Sequence, residues 1–301
     1  MMYRPGRTIL RVALAVAVAS CGAPEARRCP DTPSGCPRSV YAVDVATLTD
    51  LVRRDRVHVL DLRDAPAYAA GHIPGAMHFD AEALRTAAGG VSGQVAPATK
   101  IAATFAAVGI ADGDHVVAYD SENGPPPARL VWTLLYYGYP AGQVRVLDGG
   151  FAAWEASDGA VETTPSKRTA TGTLGLKTPN NARRVDAAWV SAHLSDAKVA
   201  LVDARTPEEY AAGHIPGALN IPWQATRDGT RFLGDESMLK IYDEVFKAST
   251  VVTYSASGMR ASMTWLTLKM LAHTDVRIYD GSWSEWGARG DLPRVVGTTP
   301  R

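Results

Sequence analysis

The amino-acid sequence contains the same pattern twice, and this duplication constrains the fold more than any other feature. The eight residues 69–76, AAGHIPGA, recur unchanged at 211–218. The flanking segments recur in the same order: DLR (61–63) matches DAR (203–205), VVAYD (116–120) matches VVTYS (251–255), and VRVLDGG (144–150) matches VRIYDGS (276–282). Similar segments in the same order indicate one structural unit that has been duplicated. A length of 301 residues also fits two domains of ordinary size.

Each repeat alternates short apolar runs with longer helical segments. The runs at 57–62, 116–119 and 144–147 are apolar on both faces, which predicts strands of a parallel sheet covered by helices. We therefore predict an α/β fold of two domains, each a small parallel sheet flanked by helices. The predicted boundaries are 1–20 for a signal peptide, 21–39 for a Pro-rich stalk, 40–160 for domain 1, 161–182 for a linker and 183–297 for domain 2.

The first twenty residues predict export. Arginines precede an apolar run at 12–19, which is much shorter than the ~20 residues that span a bilayer. The run ends in VASC, which resembles a bacterial lipobox and would make Cys21 a lipidated N-terminus in the cell envelope or periplasm. Ordinary cleavage near Ala19, with Cys21 unmodified, is the alternative.

Cysteine is absent after position 36. Cys29 and Cys36 lie in the stretch CPDTPSGCPR, where they could close a small disulfide loop or remain free thiols. Any cysteine chemistry in the two repeats is therefore excluded.

The charge balance gives no general attraction to polyanions. The chain has 31 basic and 31 acidic side chains, so neither nucleic acid nor a membrane surface is predicted as a partner, apart from a lipid anchor at Cys21. No cofactor and no metal site is predicted.

The end of the apolar run VVTY in the second repeat is the predicted site, since ligands bind beyond the carboxyl ends of parallel strands. Ser255, Ala256, Ser257 and Gly258 are small enough to curl with their amides pointing inward. A helix starting near Met259 adds free amides and the positive end of its dipole. Together these features predict an anion-binding loop.

Two arginines are candidates for further contacts with the anion. Arg205 ends a neighbouring strand and either contacts the anion or forms a structural ion-pair network with Asp203. Arg260 lies in the first turn of the helix, where a cation opposes the dipole, so an anion or a carboxylate should compensate it. A structural role with the side chain facing solvent is the alternative for Arg260.

Other residues of the repeats are interpreted as structural. His72 and His214 lie in the turn GHIPGA, where each glycine can supply a positive φ and where a hydrogen-bonded histidine holds the turn. Trp283 and Trp286 are predicted to pack in the core or between the domains rather than against a substrate.

The paired motifs resemble the tandem rhodanese family, the thiosulfate and 3-mercaptopyruvate sulfurtransferases. The resemblance rests on D-x-R…GHIPGA in both halves, and on VVxY, a six-residue loop and DGSWSEW in the second half, and it extends over about residues 40 to 293. It implies a two-domain α/β fold in which a cysteine at the start of the second domain's loop accepts sulfane sulfur as a persulfide. That sulfur comes from thiosulfate or a mercaptoacid and passes to cyanide or a thiol.

Ser255 occupies the position of that cysteine. Persulfide exchange requires a soft atom that is ionised at neutral pH, so we predict that it is absent or nearly so. The loop amides are unchanged by the substitution, so a small sulfur oxyanion such as thiosulfate is the predicted ligand, with a thiol acceptor or a protein as a possible further partner. Two alternatives stay open: a working sulfurtransferase whose cysteine has been replaced by serine, and a hydrolase that uses Ser255 as its nucleophile.

The first repeat is predicted to be inactive. Its loop begins with Asp120, and Glu122 follows, so negative charge lies where an anion would bind. Prolines at 125–127 also remove amide donors. Its expected role is to cover the pocket of the second domain.

Overall fold

The structure is a computed structural model that describes residues 37–54, 57–166 and 171–300. The predicted signal peptide, the lipidation site at Cys21 and the pair Cys29 and Cys36 lie outside the described residues. Within them, no helix combines the length and the hydropathy of a membrane span.

The first repeat is built on a five-stranded parallel sheet and a small antiparallel hairpin. Its strands are β1 (Ala42–Val43), β2 (His58–Asp61), β3 (Met77–His78), β4 (Arg85–Ala88), β5 (Val91–Val95), β6 (Val116–Tyr119) and β7 (Val144–Leu147). Its helices are α1 (Pro37–Tyr41), α2 (Val45–Arg53), α3 (Ala65–Ala70), α4 (Ala98–Ala107), α5 (Pro125–Tyr136) and α6 (Gly150–Glu155). The sheet order is β1-β7-β6-β2-β3, and β4 pairs with β5 in the hairpin.

The second repeat has the same architecture. Its strands are β8 (Arg184–Val185), β9 (Val199–Asp203), β10 (Leu219–Asn220), β11 (Arg227–Asp228), β12 (Arg231–Phe232), β13 (Thr250–Tyr254) and β14 (Asp275–Tyr279). Its helices are α7 (Ala187–Ala192), α8 (Pro207–Ala212), α9 (Asp235–Ile241), α10 (Met259–Met270) and α11 (Ser282–Trp286). The order β8-β14-β13-β9-β10 reproduces the first sheet, and β11 pairs with β12.

The sheet register brings the predicted loops to the carboxyl edge of each sheet. Tyr119 pairs with Asp61, and Tyr254 pairs with Asp203, so β6 and β13 end beside β2 and β9. The duplicated α/β fold predicted from the sequence is confirmed, and α10 begins at Met259 as expected.

Helices α5 and α10 pack against each other at the interface between the two domains. Nearly every residue of both helices is buried, and they pack against each other within one apolar cluster that includes residues of both repeats. Smaller clusters fill the other face of each sheet. The main core is therefore shared between the domains.

The two glycines of the second GHIPGA turn are required for different reasons. Gly217 has φ of 81°, as a left-handed turn requires, but Gly213 has φ of 162°, which is ordinary extended backbone. The prediction of a positive φ is thus wrong for the first glycine, which is needed because a Cβ there would lie 2.8 Å from Trp283. His214 is fully buried, stacks on Tyr210 and donates to its carbonyl oxygen at 3.0 Å, which confirms its structural role.

Candidate anion-binding site

Ser255 begins the loop that connects β13 to α10. It follows Tyr254 directly and is only 1% exposed. Its amide donates to Oγ of Ser282 at 3.2 Å, and its own Oγ accepts from the amide of Ala261 at 3.3 Å. Because Ala261 lies in the first turn of α10, the serine oxygen lies at the positive end of that helix.

Gly258 closes the loop at the N-cap of α10. Its φ of 78° is left-handed, and a Cβ there would lie 2.7 Å from Oδ1 of Asp280 and 3.1 Å from Nη1 of Arg129. Both the conformation and the close approach therefore require glycine at this position.

The loop amides are available to a ligand. The amides of residues 256–260 make no hydrogen bond to any residue in the described part of the chain, and the hydroxyl hydrogen of Ser255 has no acceptor there. Free amides at the positive end of a helix favour an anion.

The equivalent loop of the first domain already contains an acidic side chain. Asp120 follows β6 as Ser255 follows β13, and both oxygens of its carboxylate accept from the amide of Gly124 at 2.9 Å. Burial raises the pKa of Asp120, while hydrogen bonds from the amides of Gly124, Asn123 and Glu122 act in the opposite direction. The aspartate thus blocks this loop, as the sequence predicted.

Arg205 is used within its own domain. Its Nε donates to both carboxylate oxygens of Asp203 at 3.0 Å, and its Nη2 donates to Asp203 at 2.6 Å and to the carbonyl oxygen of Gly213 at 2.7 Å. Arg63 makes the equivalent contacts with Asp61 in the first domain, where the loop is blocked. The structure therefore supports the ion-pair network with Asp203, and a contact between Arg205 and the anion stays a prediction.

Arg260 is held by a carboxylate beside the loop. Its two η nitrogens donate to the two carboxylate oxygens of Glu209 at 2.6 and 2.7 Å. Glu209, in the first turn of α8, also accepts from the amide of Thr206 to complete a capping box. The hydrogen bonds from Arg260 lower the pKa of Glu209 to about 2. Glu209 is the compensating carboxylate that the position of Arg260 predicted.

The first domain covers the loop of the second. Gly93 of the β4–β5 hairpin is so close that an added Cβ would lie 2.7 Å from Cβ of Ser257. Asp280 accepts from the amide of Val95 at 2.7 Å, and Nη1 of Arg129, on α5, lies 2.7 Å from Oδ1 of Asp280. These contacts pack the first domain against the loop, and we call the contacting residues Gly93, Val95 and Arg129 the wall of the loop.

The second domain covers the first in the same way. Asp148, the counterpart of Asp280, accepts from the amide of Phe232 in the β11–β12 hairpin at 2.9 Å. Arg227 of that hairpin donates to the carbonyl oxygen of Glu122, in the blocked loop. Each hairpin thus belongs to one domain and covers the loop of the other.

Comparison with known proteins identifies the family. The chain matches the rhodanese-like domain family twice, over residues 44–157 and 186–289. The chain belongs to the tandem-domain rhodanese family.

Two similar proteins are named as sulfurtransferases. This rhodanese is 32% identical over 251 residues to the 3-mercaptopyruvate sulfurtransferase of Escherichia coli K12, which covers 77% of this chain and 86% of the relative. It is 31% identical over 250 residues to the thiosulfate sulfurtransferase of Pseudomonas aeruginosa, covering 79% of this chain and 90% of the relative.

Solved structures have the same fold. A 3-mercaptopyruvate sulfotransferase from Escherichia coli superposes with a TM-score of 0.71 at 25% identity, over 81% of this chain and 98% of that one. The anaerobic ergothioneine biosynthesis enzyme of Chlorobium limicola gives a TM-score of 0.77 at 21% identity, over 86% of this chain and 71% of that one, which reflects the fold alone.

The structure of this rhodanese adds residues that the sequence analysis missed. Arg129 and Asp280 come from different domains, and no local pattern predicts their pairing. Glu209 had a signal, because Thr206 followed three residues later by glutamate is a capping-box pattern at a helix start. Among the described residues, no cluster of three or more His, Cys, Asp or Glu side chains could hold a metal ion.

Proposed function

We propose that this rhodanese binds a small sulfur oxyanion, such as thiosulfate, on the loop from Ser255 to Arg260 and does not transfer sulfur there. One observation carries the proposal: a buried hydroxyl oxygen, Oγ of Ser255, stands where the family resemblance implies the sulfur of a cysteine. The named relatives are sulfurtransferases, and this chain keeps their fold without that nucleophile.

The loss of transfer follows from the chemistry of the step. A thiolate attacks the outer sulfur of thiosulfate, a sulfur–sulfur bond forms, and sulfite leaves with the electron pair; cyanide then takes the sulfur as thiocyanate and regenerates the thiolate. A serine hydroxyl keeps its proton at neutral pH, so it cannot start this sequence without a base. In the described part of the chain, the partner of the Ser255 oxygen is the amide of Ala261, which is not a base. The same point argues against ester or phosphate hydrolysis at Ser255.

Anion binding does not need the thiolate. The amides of residues 256–260 and the hydroxyl hydrogen of Ser255 are donors without acceptors among the described residues. On the equivalent loop of the first domain, the amide of Gly124 donates to both carboxyl oxygens of Asp120, which shows that the amides of such a loop can bind acidic oxygens. A thiosulfate ion would take the place that a side chain fills in the first domain.

The test is the formation of thiocyanate from thiosulfate and cyanide by the full-length chain and by its Ser255→Cys variant. We expect negligible turnover with serine and a gain of at least about 100-fold with cysteine, because only the cysteine variant has an activated nucleophile. Ser257→Cys is the matched control: it places a thiol on the same loop away from the first position and should stay inactive. Robust turnover by the unmodified protein would refute the loss of transfer, and an inactive Ser255→Cys variant would show that the pocket itself has changed.

We also propose that the mature protein is anchored in the bacterial cell envelope through a lipid on Cys21. The sequence VASC and the short apolar run before it support this proposal. Fractionation of cells producing the full chain should place it with membranes, and a Cys21→Ala variant should be released into the soluble fraction. Equal distribution of both proteins would rule out the anchor.

A further inference from the structure

Three arginines of the candidate site and its surroundings each pair with a carboxylate. The pairs, with their shortest nitrogen–oxygen distances, are Arg129 with Asp280 (2.7 Å), Arg205 with Asp203 (2.6 Å) and Arg260 with Glu209 (2.6 Å). The charges of these three arginines are therefore compensated, and Arg184 shares the carboxylate of Asp280 at 3.5 Å. Among the described residues, the unpaired donors at the loop are the backbone amides at the positive end of α10 and the hydroxyl of Ser255.

The pair of Arg260 and Glu209 differs from the other two because it is open to solvent. Its side chains are 24% and 38% exposed, whereas both members of each other pair are almost fully buried. An incoming ligand can therefore approach this pair.

The first domain has no such pair. The residue of α3 that corresponds to Glu209, the third of its helix, is Ala67, and the second residue of α5, corresponding to Arg260, is Pro126. The pair is thus specific to the domain whose loop is free.

We propose that Glu209 is a specificity-determining residue: by occupying Arg260, it limits the loop to small inorganic oxyanions and excludes ligands that carry a carboxylate. This inference rests on the proposed function. A carboxylate is held best by two parallel hydrogen bonds from a guanidinium, but both η nitrogens of Arg260 already donate to Glu209. A tetrahedral oxyanion is small enough to be bound by the amides alone.

Glu209→Gln is the variant that tests this role. Glutamine has the same length and can still accept from the amide of Thr206, so the helix cap is retained, but it no longer neutralises Arg260. Glu208→Gln is the matched control, since Glu208 is the exposed neighbour on the same helix and Arg260 pairs with Glu209 instead. The double variant Glu209→Gln/Arg260→Gln removes the guanidinium that a carboxylate would use.

Calorimetric titration of each protein with sulfate and, separately, with pyruvate measures its affinity for the two kinds of ligand. We expect the unmodified protein and Glu208→Gln to bind sulfate and not pyruvate. We expect Glu209→Gln to bind pyruvate and to bind sulfate about tenfold more tightly, because an unpaired guanidinium is added to the site. The double variant should lose pyruvate binding again. Thermal unfolding of each protein checks that the folds are equally intact, and a merely structural Glu209 would leave the ratio of the two affinities unchanged.

The outcomes separate this inference from the proposed function. If Glu209→Gln binds sulfate as the unmodified protein does and still rejects pyruvate, or if the unmodified protein binds both ligands equally, the role of Glu209 is refuted while the anion loop stands. If neither protein binds sulfate, the anion loop itself is refuted, and the role of Glu209 is refuted with it.

Discussion

Replacement of Asp280 by asparagine measures how much the ion pair between Asp280 and Arg129 stabilises the contact between the two domains. Asp280 and Arg129 are both 0% exposed and belong to different domains. Asp280 also accepts from the amide of Val95 at 2.7 Å and lies 3.5 Å from Nε of Arg184. Asparagine fits the same space and can still accept from Val95, so the change removes the charge and little else.

The expected cost follows from the burial of Arg129. Removing one partner of a buried ion pair costs about 3–5 kcal/mol, because the other charge is left without compensation. The lower end applies here, since Arg129 and Asp280 are close without the alignment of a hydrogen bond. We expect the free energy of unfolding to fall by about 3 kcal/mol. For a protein of this size each kcal/mol lowers Tm by about 2–4 °C, so Tm should fall by about 6–12 °C.

The duplication supplies a matched control. Asp148 occupies the same position in the first domain, but its partner Arg38 is 25% exposed and Asp148 itself 15%. Asp148→Asn should cost about 1 kcal/mol or less, as partly solvated pairs do. Urea unfolding of both variants, followed by circular dichroism and tryptophan fluorescence, measures the difference. Equal losses within about 0.5 kcal/mol would contradict the argument from charge burial, and Arg129→Met/Asp280→Asn should recover part of the loss if it is correct.

Three further predictions concern charge at other positions. Asp120→Ser frees the amides of Glu122, Asn123 and Gly124, which precede the prolines. Calorimetry should then show a second sulfate ion bound per chain, more weakly than the first because Glu122 and the prolines at 125–127 remain. An unchanged stoichiometry at saturating sulfate would contradict the equivalence of the loops. Burial lowers the pKa of Lys269 to about 8, so above that pH the unfolded state binds more protons than the folded state. The free energy of unfolding should therefore rise by about 2 kcal/mol between pH 8 and 10.5. Urea unfolding of a Lys269→Met variant should show no such rise. The pKa of Glu209 is lowered to about 2, so its ion pair should stabilise the protein by about 1 kcal/mol or less above pH 4.5 and lose this effect as the pH falls towards 2. If the unmodified protein and Glu209→Gln differ by a constant free energy of unfolding over that range, the role of this ion pair is contradicted.

The sequence predicted those features that depend on local pattern or on the repeat. The apolar runs predicted buried strands because both of their faces are covered. The small residues from Ser255 to Gly258 predicted the loop, and Gly258 supplies its left-handed φ of 78°. Asp120 was recognisable as a blocking residue because the alignment of the repeats placed it opposite Ser255.

The sequence could not decide features that depend on packing between distant segments. Arg205 follows a strand and is two residues from Asp203, and this spacing fits an anion contact as well as an ion pair. Only the coordinates show that its Nε and Nη2 donate to Asp203 and Gly213. Gly213 needs no special φ, and its requirement comes from the ring of Trp283, about seventy residues later in the chain. The pairing of Arg129 with Asp280 needs the relative placement of two domains, which periodicity does not contain.

The exchange of hairpins between the repeats has a consequence for how the protein can be divided. Val95 and Phe232 each donate to an aspartate of the opposite domain, and α5 and α10 share one apolar cluster. A half produced alone would therefore expose both its loop and half of a core. We expect two halves produced together as separate polypeptides, with residues 171–182 kept on the first half, to associate through these contacts, because Leu174 and its neighbours pack on the first domain. The interface between the halves, and not their covalent link alone, then holds the molecule together.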